Sequence, residues 1–523
     1  MISGELLRLA AYYVFLAFIL RFLVLYGYRV LLHPLRKYPG PFIASITDWY
    51  GAYYALRKSL HIVTYEDHQK YGNVIRQGPN KLVFNTVSAM RDIYRDDKLF
   101  KARSYVATQD DPKIPSILSA IDKQLHRRKK KIVGNGLSEK HLRQFEPTMM
   151  SHIDIFINQL LEASKSGEVV DMTIKSKYLG LDISSQFGFG ISLDMQTNSK
   201  NRFLDAGMRA AVYRTYVYMQ YLSAKYLGVD LLLIRPLYAI RKQYREALHS
   251  LVSRRLEMGK HAKDDLFSFV IDEKDPETGA GMTEMELFVE SEIYLIAGGQ
   301  TTSSAIAALL FYLSRYPECY KRLVNEIRST FSNGSEIVSG TTLSGCKYLR
   351  ACIDETLRMS PPVPGTMWRE YPEVLTEGEV VIDGHVIPRG TLVGVNTYAL
   401  HHNESYFSKP FEFIPERWLA NDEKETNQAE AERKHSHDAF VPFSIGTRSC
   451  AGKGLANMQI PLVIAKTLWY LDFERPAQDA VQSEETIVGR SRGCVGKNEY
   501  EIYDQLIATH HGPNLRFKAT GNP

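Results

Sequence analysis

Phe443-Ser-Ile-Gly446-Thr-Arg448-Ser-Cys450-Ala-Gly452 is the stretch on which the reading of this chain turns. It is a loop that opens directly onto an apolar, helix-like segment from Gly454 to Leu471. A sulfur at a helix entry meets unpaired N–H groups and the positive end of the helix dipole, and both favour a thiolate. Gly446 and Gly452 are expected to permit turns that a side chain would block, so that amides approach the sulfur. Arg448 offers a fixed cation two residues before it. A free cysteine is more often a small core residue, so the loop by itself leaves both readings open.

Three other segments narrow the choice. Thr283-Glu-Met-Glu286 reads as a capping box, from which a helix runs to Tyr316 before Pro317 stops it. At 1.5 Å per residue it would be about 50 Å long, enough to cross a domain. Its middle is Ala297-Gly298-Gly299-Gln300-Thr301-Thr302. Two glycines inside a helix cost about 1–2 kcal/mol relative to alanine. They imply close approach of a flat ligand or bound oxygen, with helix–helix packing as the alternative. Glu355-Thr-Leu-Arg358 precedes Pro361-Pro362 and puts a carboxylate and a guanidinium on one helical face. Taken alone it is a solvated pair. His126-Arg-Arg-Lys-Lys130 lies on a basic helix, and Lys129–Lys131 reads as a solvated run or, with Lys453, as a positive docking surface. His401-His402 and His510-His511 suggest a metal site, but neighbours on a strand point to opposite faces and do not readily share an ion.

The spacing F-x-x-G-x-R-x-C-x-G resembles the haem-binding loop of the cytochrome P450 family at all five defining positions, and the other segments follow in the family's order. The resemblance implies a mainly α fold with small β-sheets and a long central helix over a haem-thiolate site. It makes Cys450 the axial ligand of a heme b iron, within a loop defined by Phe443, Gly446 and Arg448. Thr301 matches the threonine that helps protonate bound dioxygen. Gln300 departs from the family, which has an acid there; an amide holds water but does not relay a proton by ionising. Proton delivery is therefore expected to rest on Thr301 and ordered water, or the reaction departs from simple hydroxylation. Glu355, Arg358 and Arg417 match a buried triad that supports the cysteine loop. His126, Lys130 (where the family has Arg), Arg369 and Arg448 match contacts to the haem propionates. The stretch from Tyr398 to Phe407 and Pro415-Glu-Arg-Trp looks like membrane-anchored fungal members that tailor secondary metabolites or aromatic acids. The implied reaction inserts one oxygen atom of O2 into a small hydrophobic substrate. Electrons would come from an NADPH-cytochrome P450 reductase, with cytochrome b5 as a second candidate donor. Oxidative rearrangement, coupling or desaturation, and a haem sensor or carrier without turnover, are the alternatives. Substrate contacts are expected from Ile114–Leu118, Tyr213–Tyr238, Ile293–Ser304 and Val363–Met367, with Gln505–His510 as a further region.

Length and composition set bounds. No Gly/Ser- or Pro-rich linker divides the 523 residues, so one large domain is expected. The net charge of +5 is small for this length and gives no case for nucleic acid. Five scattered cysteines without C-x-x-C spacing fit a reducing compartment. Leu9–Tyr28 is apolar apart from Arg21 and long enough to span hydrocarbon. Arg29, Arg36 and Lys37 follow, which places the remainder in the cytosol. Residues 1–32 are thus read as a single-pass anchor in the endoplasmic reticulum membrane, 33–48 as a Pro-rich hinge and 49–523 as the catalytic domain. Asn73-Val-Ile-Arg and Lys81-Leu-Val-Phe read as strands, Asp383-Gly384 as a hairpin turn, and Ala420–Asp438 as a solvent loop.

Overall fold

The helix opened by the capping box runs Glu284–Leu313, and the rest of the chain is built around it. The computed structural model describes residues 4–109, 111, 113–226, 235–259, 262–263, 265–272, 274, 279, 281–374, 378–420, 427–476 and 498–521. Glu286 N donates to Thr283 Oγ1 at 3.2 Å, and Thr283 N donates to the Glu286 carboxylate at 2.9 Å. The helix stops three residues earlier than expected. Pro317 opens the next helix, Pro317–Thr330, at a position where its missing N–H costs nothing. Every residue from Ala305 to Leu313 is buried, so this half is apolar all round, as a core helix must be.

The helix Met172–Phe189 lies along the central one, and small residues make the approach close. A Cβ on Gly299 would stand 2.6 Å from Leu181 Cδ2, and one on Gly298 would stand 2.6 Å from Ser184 Oγ. A Cβ on Gly180 would collide with Gly299 O. The glycine pair therefore serves helix packing first, and ligand approach is not needed to explain it.

Among the described residues ten strands make three small sheets: β1 Val74–Gly78, β2 Lys81–Phe84, β3 Phe100–Lys101, β4 Val169–Asp171, β5 Arg369–Glu370, β6 Val380–Ile382, β7 His385–Ile387, β8 Leu392–Val395, β9 Leu471–Glu474 and β10 Asn514–Ala519. The largest has the order β1-β2-β8-β5-β3, the second β4-β10-β9, and β6 pairs with β7. Asp383 and Gly384 join β6 to β7 with φ of 49° and 77°, the left-handed pair that a two-residue hairpin requires. The solvent loop expected at Ala420–Asp438 is corrected in its second half, which is the helix Asn427–Ala439. That segment holds Gln, Ala, Glu, Arg and Lys with no glycine or proline, so helix propensity prevails; residues 421–426 lie outside the described set.

Gly4–Gly27 is an α-helix, and Arg8–Leu32 is long and apolar enough to cross a membrane, with none of it buried. The Pro-rich segment after it is packed on the body. Leu35 and Tyr38 are buried, Arg76 N donates to Pro39 O at 2.7 Å, and Gly40 has no room for a Cβ against Arg76 O.

Candidate active site

Cys450 closes a turn ahead of the helix Lys453–Tyr470, and its N–H donates to Phe443 O at 2.9 Å. Gly446 has φ +77°, and a Cβ there would collide with Tyr94 O. Gly452 is different: its φ of −82° suits any residue, and a Cβ would meet only Cys450 Sγ at 3.9 Å. The expectation for the two glycines thus holds at Gly446 alone. Cys450 is exposed to a cavity of about 330 Å³ that it helps to line. Burial pushes the Cys450 thiol up, against the backbone N–H groups of Gly452 and Lys453 and the charges of Lys130 and Lys453.

Ala297, Gly298, Thr301 and Thr302 of the central helix face the same cavity. Thr301 Oγ1 donates to Ala297 O at 2.6 Å, leaving its lone pairs as acceptors at the wall. Gln300 is buried and does not line the cavity, and among the described residues its Nε2 has no partner. Ile117, Leu118, Ile293, Tyr294, Val363 and Met367 supply apolar wall from three of the regions expected to do so. No described residue of 213–238 or 505–510 lines it. Tyr216 and Tyr218 are packing residues, and 227–234 lie outside the described residues.

Basic groups gather around the cysteine side of the cavity. Lys101, His126, Lys130 and Arg448 line it, and Arg369 is buried close enough to repel them. Arg448 donates to Ala120 O and, at 3.0 Å, to Ile121 O. Lys130 Nζ holds the cysteine loop through Thr447 O at 2.7 Å and Ser449 O at 3.2 Å. Burial, then Arg369, lowers Arg448 to about 10; burial and the surrounding cations lower His126 to about 3. Burial also holds Lys101 well below its ordinary range, helped by Arg369 and Arg448. Among the described residues no carboxylate forms an ion pair with Lys101, Lys130, Arg369 or Arg448. Lys101, on the two-residue strand β3, carried no signal in the sequence.

Glu355 sits behind the cysteine loop, fully buried on the helix Lys347–Met359. It accepts two bonds from Arg358 (both 2.9 Å), one from Arg417 Nε (3.1 Å), one from Ile414 N (3.0 Å) and one from Trp418 Nε1 (3.0 Å). Burial acts to raise its carboxyl, but the charge and bonds of Arg358, with Arg417, outweigh it and hold the carboxyl below its ordinary value. Arg358 Nη1 donates to His401 O at 2.9 Å, and Val441 N donates to His401 Nε2 at 3.0 Å. His401 therefore joins the triad to the start of the cysteine loop. It lies on the helix Thr397–His401, not on a strand, and is fully buried. Burial, then Arg358, lowers it to about 3, so it stays neutral with Nε2 as the acceptor. The solvated reading of Lys129 is corrected: it is 1% exposed and pairs with Glu286 and Glu290, both at 3.1 Å. Lys131 and Lys453 remain on the surface, and Cys494 lies outside the described residues.

A cysteine at a helix entry, an apolar cavity beneath a long helix and a cluster of cations with no ion-paired carboxylate among the described residues come together at one site. A family model described as Cytochrome P450 matches residues 39–493. The cytochrome P450 monooxygenase apf7 of Gibberella fujikuroi is 35% identical, with 94% of each chain covered. AKT7 of Alternaria alternata, another cytochrome P450 monooxygenase, is 35% identical over the same shares. PoxM of Penicillium oxalicum, of the same description, is 34% identical over 94% of this chain and 91% of its own. This chain belongs to the cytochrome P450 family. It is a haem-thiolate monooxygenase, an oxidoreductase that incorporates oxygen from O2.

Proposed function

We propose that Cys450 would hold the iron of a heme b through its thiolate in the cavity it shares with the central helix, and that the enzyme oxidises a small hydrophobic, secondary-metabolite-type substrate against that helix. The observation that carries this reading is the pairing on one cavity of a helix-entry sulfur with basic groups that form no ion pair with a carboxylate among the described residues. A planar ligand with two carboxylates satisfies that cluster. Lys101, His126, Lys130, Arg369 and Arg448 are its partners, and contact with the carboxylates would offset the desolvation they bear in isolation. When bound, haem supplies dioxygen activation and transfer of one oxygen atom. The Thr301 hydroxyl, whose own proton is held by Ala297 O, would accept a hydrogen bond from water and so position that water as the proton source at the cavity wall. The apolar walls exclude other water. Glu355, Arg358, Arg417 and His401 hold the cysteine loop in place. Residues 1–32 anchor the chain in the endoplasmic reticulum membrane with 49–523 cytosolic, and 33–48 form the packed connection. Exposed Lys131 and Lys453 supply positive charge for docking an acidic NADPH-cytochrome P450 reductase, or cytochrome b5.

The test is spectroscopic and kinetic. Cys450→Ser should abolish the red-shifted absorption of the reduced carbonyl complex, and a surviving band would overturn the ligand. Thr301→Ala should keep that band, and NADPH should still be consumed with reductase present. Its product per NADPH should fall about tenfold or more, as loss of a proton-transfer group implies.

A further inference from the structure

The loop that carries Ile117 and Leu118 to the cavity is clamped at two points. Arg448 holds its far end through Ala120 O and Ile121 O. Its middle is a β-turn in which Ser119 N donates to Ser116 O at 3.0 Å. Within that turn Ile117 N donates to Glu290 Oε1 at 2.7 Å. Glu290 is fully buried on the central helix, about one turn before the cavity residues Ile293 and Tyr294. The same Oε1 accepts from Lys129 Nζ at 3.1 Å, and Lys129 also pairs with Glu286. Lys129 belongs to the helix Lys123–Gly136, whose His126, Lys130 and Val133 line the cavity.

One carboxylate oxygen thus ties a cavity loop and a cavity helix to the helix that forms the opposite wall. Glu290 itself does not line the cavity, and among the described residues its Oε2 has no partner. Burying a carboxylate is costly unless its bonds are needed, and both of these bonds act on pocket walls. We propose that Glu290 is a positioning residue that sets the pocket's shape through the Ile117 N–H, and so its affinity for bulky ligands. The proposal rests on the haem-monooxygenase reading of this cavity. Because only Oε1 is used, a glutamine can keep both hydrogen bonds, and Lys129 keeps Glu286.

The test uses haem-loaded full-length protein, titrated spectroscopically with imidazole and with clotrimazole, a bulky azole that must pack against the loop. In Glu290→Ala the clotrimazole Kd should rise about tenfold, as expected for loss of a charge-assisted bond. Imidazole binding should change less than about twofold, because so small a ligand leaves the loop untouched. Glu290→Gln should match the wild type with both ligands. Amide exchange in 113–121 should quicken in the alanine variant alone. Wild-type clotrimazole affinity and exchange in Glu290→Ala would overturn the proposal, and so would a glutamine variant that behaves like alanine. If wild-type protein bound neither azole, the haem reading would fail instead. Should Glu290→Ala lose the reduced carbonyl band, Ile117→Pro replaces it. That variant removes the N–H at the second turn position, where proline is accommodated, and Ile117→Ala, which trims the same cavity wall but keeps the N–H, is titrated beside it. Clotrimazole binding weaker in Ile117→Pro than in Ile117→Ala supports the tether; equal binding in the two overturns it.

Discussion

At the residue scale, the two glycines that flank Cys450 look equivalent in sequence and differ in structure. Gly446 combines a left-handed φ with a backbone oxygen where a Cβ would stand. Gly452 has neither constraint. Gly446→Ala must either shift the loop or displace the segment around Tyr94, whose ring also lines the cavity. It should destabilise the protein by roughly 2–4 kcal/mol, combining left-handed strain with a collision, and it should bleed haem on gel filtration. Gly452→Ala should stay within about 0.5 kcal/mol of wild type by denaturant unfolding. Equal losses in the two variants would show that loop conformation is not what Gly446 provides.

At the element scale, the cysteine loop is held through a chain of buried bonds that starts on the helix Lys347–Met359 and passes through His401 to Val441. Glu355 is the centre of that chain because one carboxylate meets two guanidinium groups, an indole and a backbone amide. Glu355→Gln preserves shape but leaves Arg358 and Arg417 without the charge that offsets their burial. A loss of about 3–5 kcal/mol is expected from denaturant titration. His401→Leu removes the acceptor of Val441 N, together with ring packing on Phe440, and should cost about 1–3 kcal/mol. The carbonyl band should weaken in both variants before helix content falls. A Glu355→Gln protein as stable as wild type would remove the triad from the support of the loop.

At the scale of the whole molecule, what was legible in the sequence was local. The capping box at Thr283, the Asp383-Gly384 turn and the Glu355–Arg358 spacing each involve residues within four positions of one another. What was not legible depends on partners brought together by the fold. Lys129 is buried because Glu290, 161 residues away, neutralises it. His401 is a wedge only because Val441 arrives beside it, and Lys101 is a site residue only because β3 pairs with β5 next to Arg369. The same folding gathers buried titratable groups, and their balance sets the acid stability. Burial lowers His68 to about 4 and both His401 and His510 to about 3, and takes His402 well below its usual range. The unfolded chain binds protons on these groups below about pH 6.5, where the folded chain does not. Their contribution is therefore complete above that pH and is lost as pH falls towards 3–4. Burial raises Asp67 to about 6 and Glu290 to about 7, which has the opposite sign: the folded state holds those protons, and stability declines as pH rises through that range. His61, lowered to about 3, and Asp504, raised to about 7, stand 3.9 Å apart and offset each other. With His126, also lowered to about 3, the lowered histidines outnumber the raised carboxyls and leave a net loss on acidification, at most about 1.4 kcal/mol per pH unit for each surplus group. The Tm followed by circular dichroism should accordingly fall between pH 7.5 and pH 5, and His510→Phe, which removes one of these histidines, should flatten that slope. A Tm that held steady or rose on acidification would show that these histidines are solvated in the folded protein.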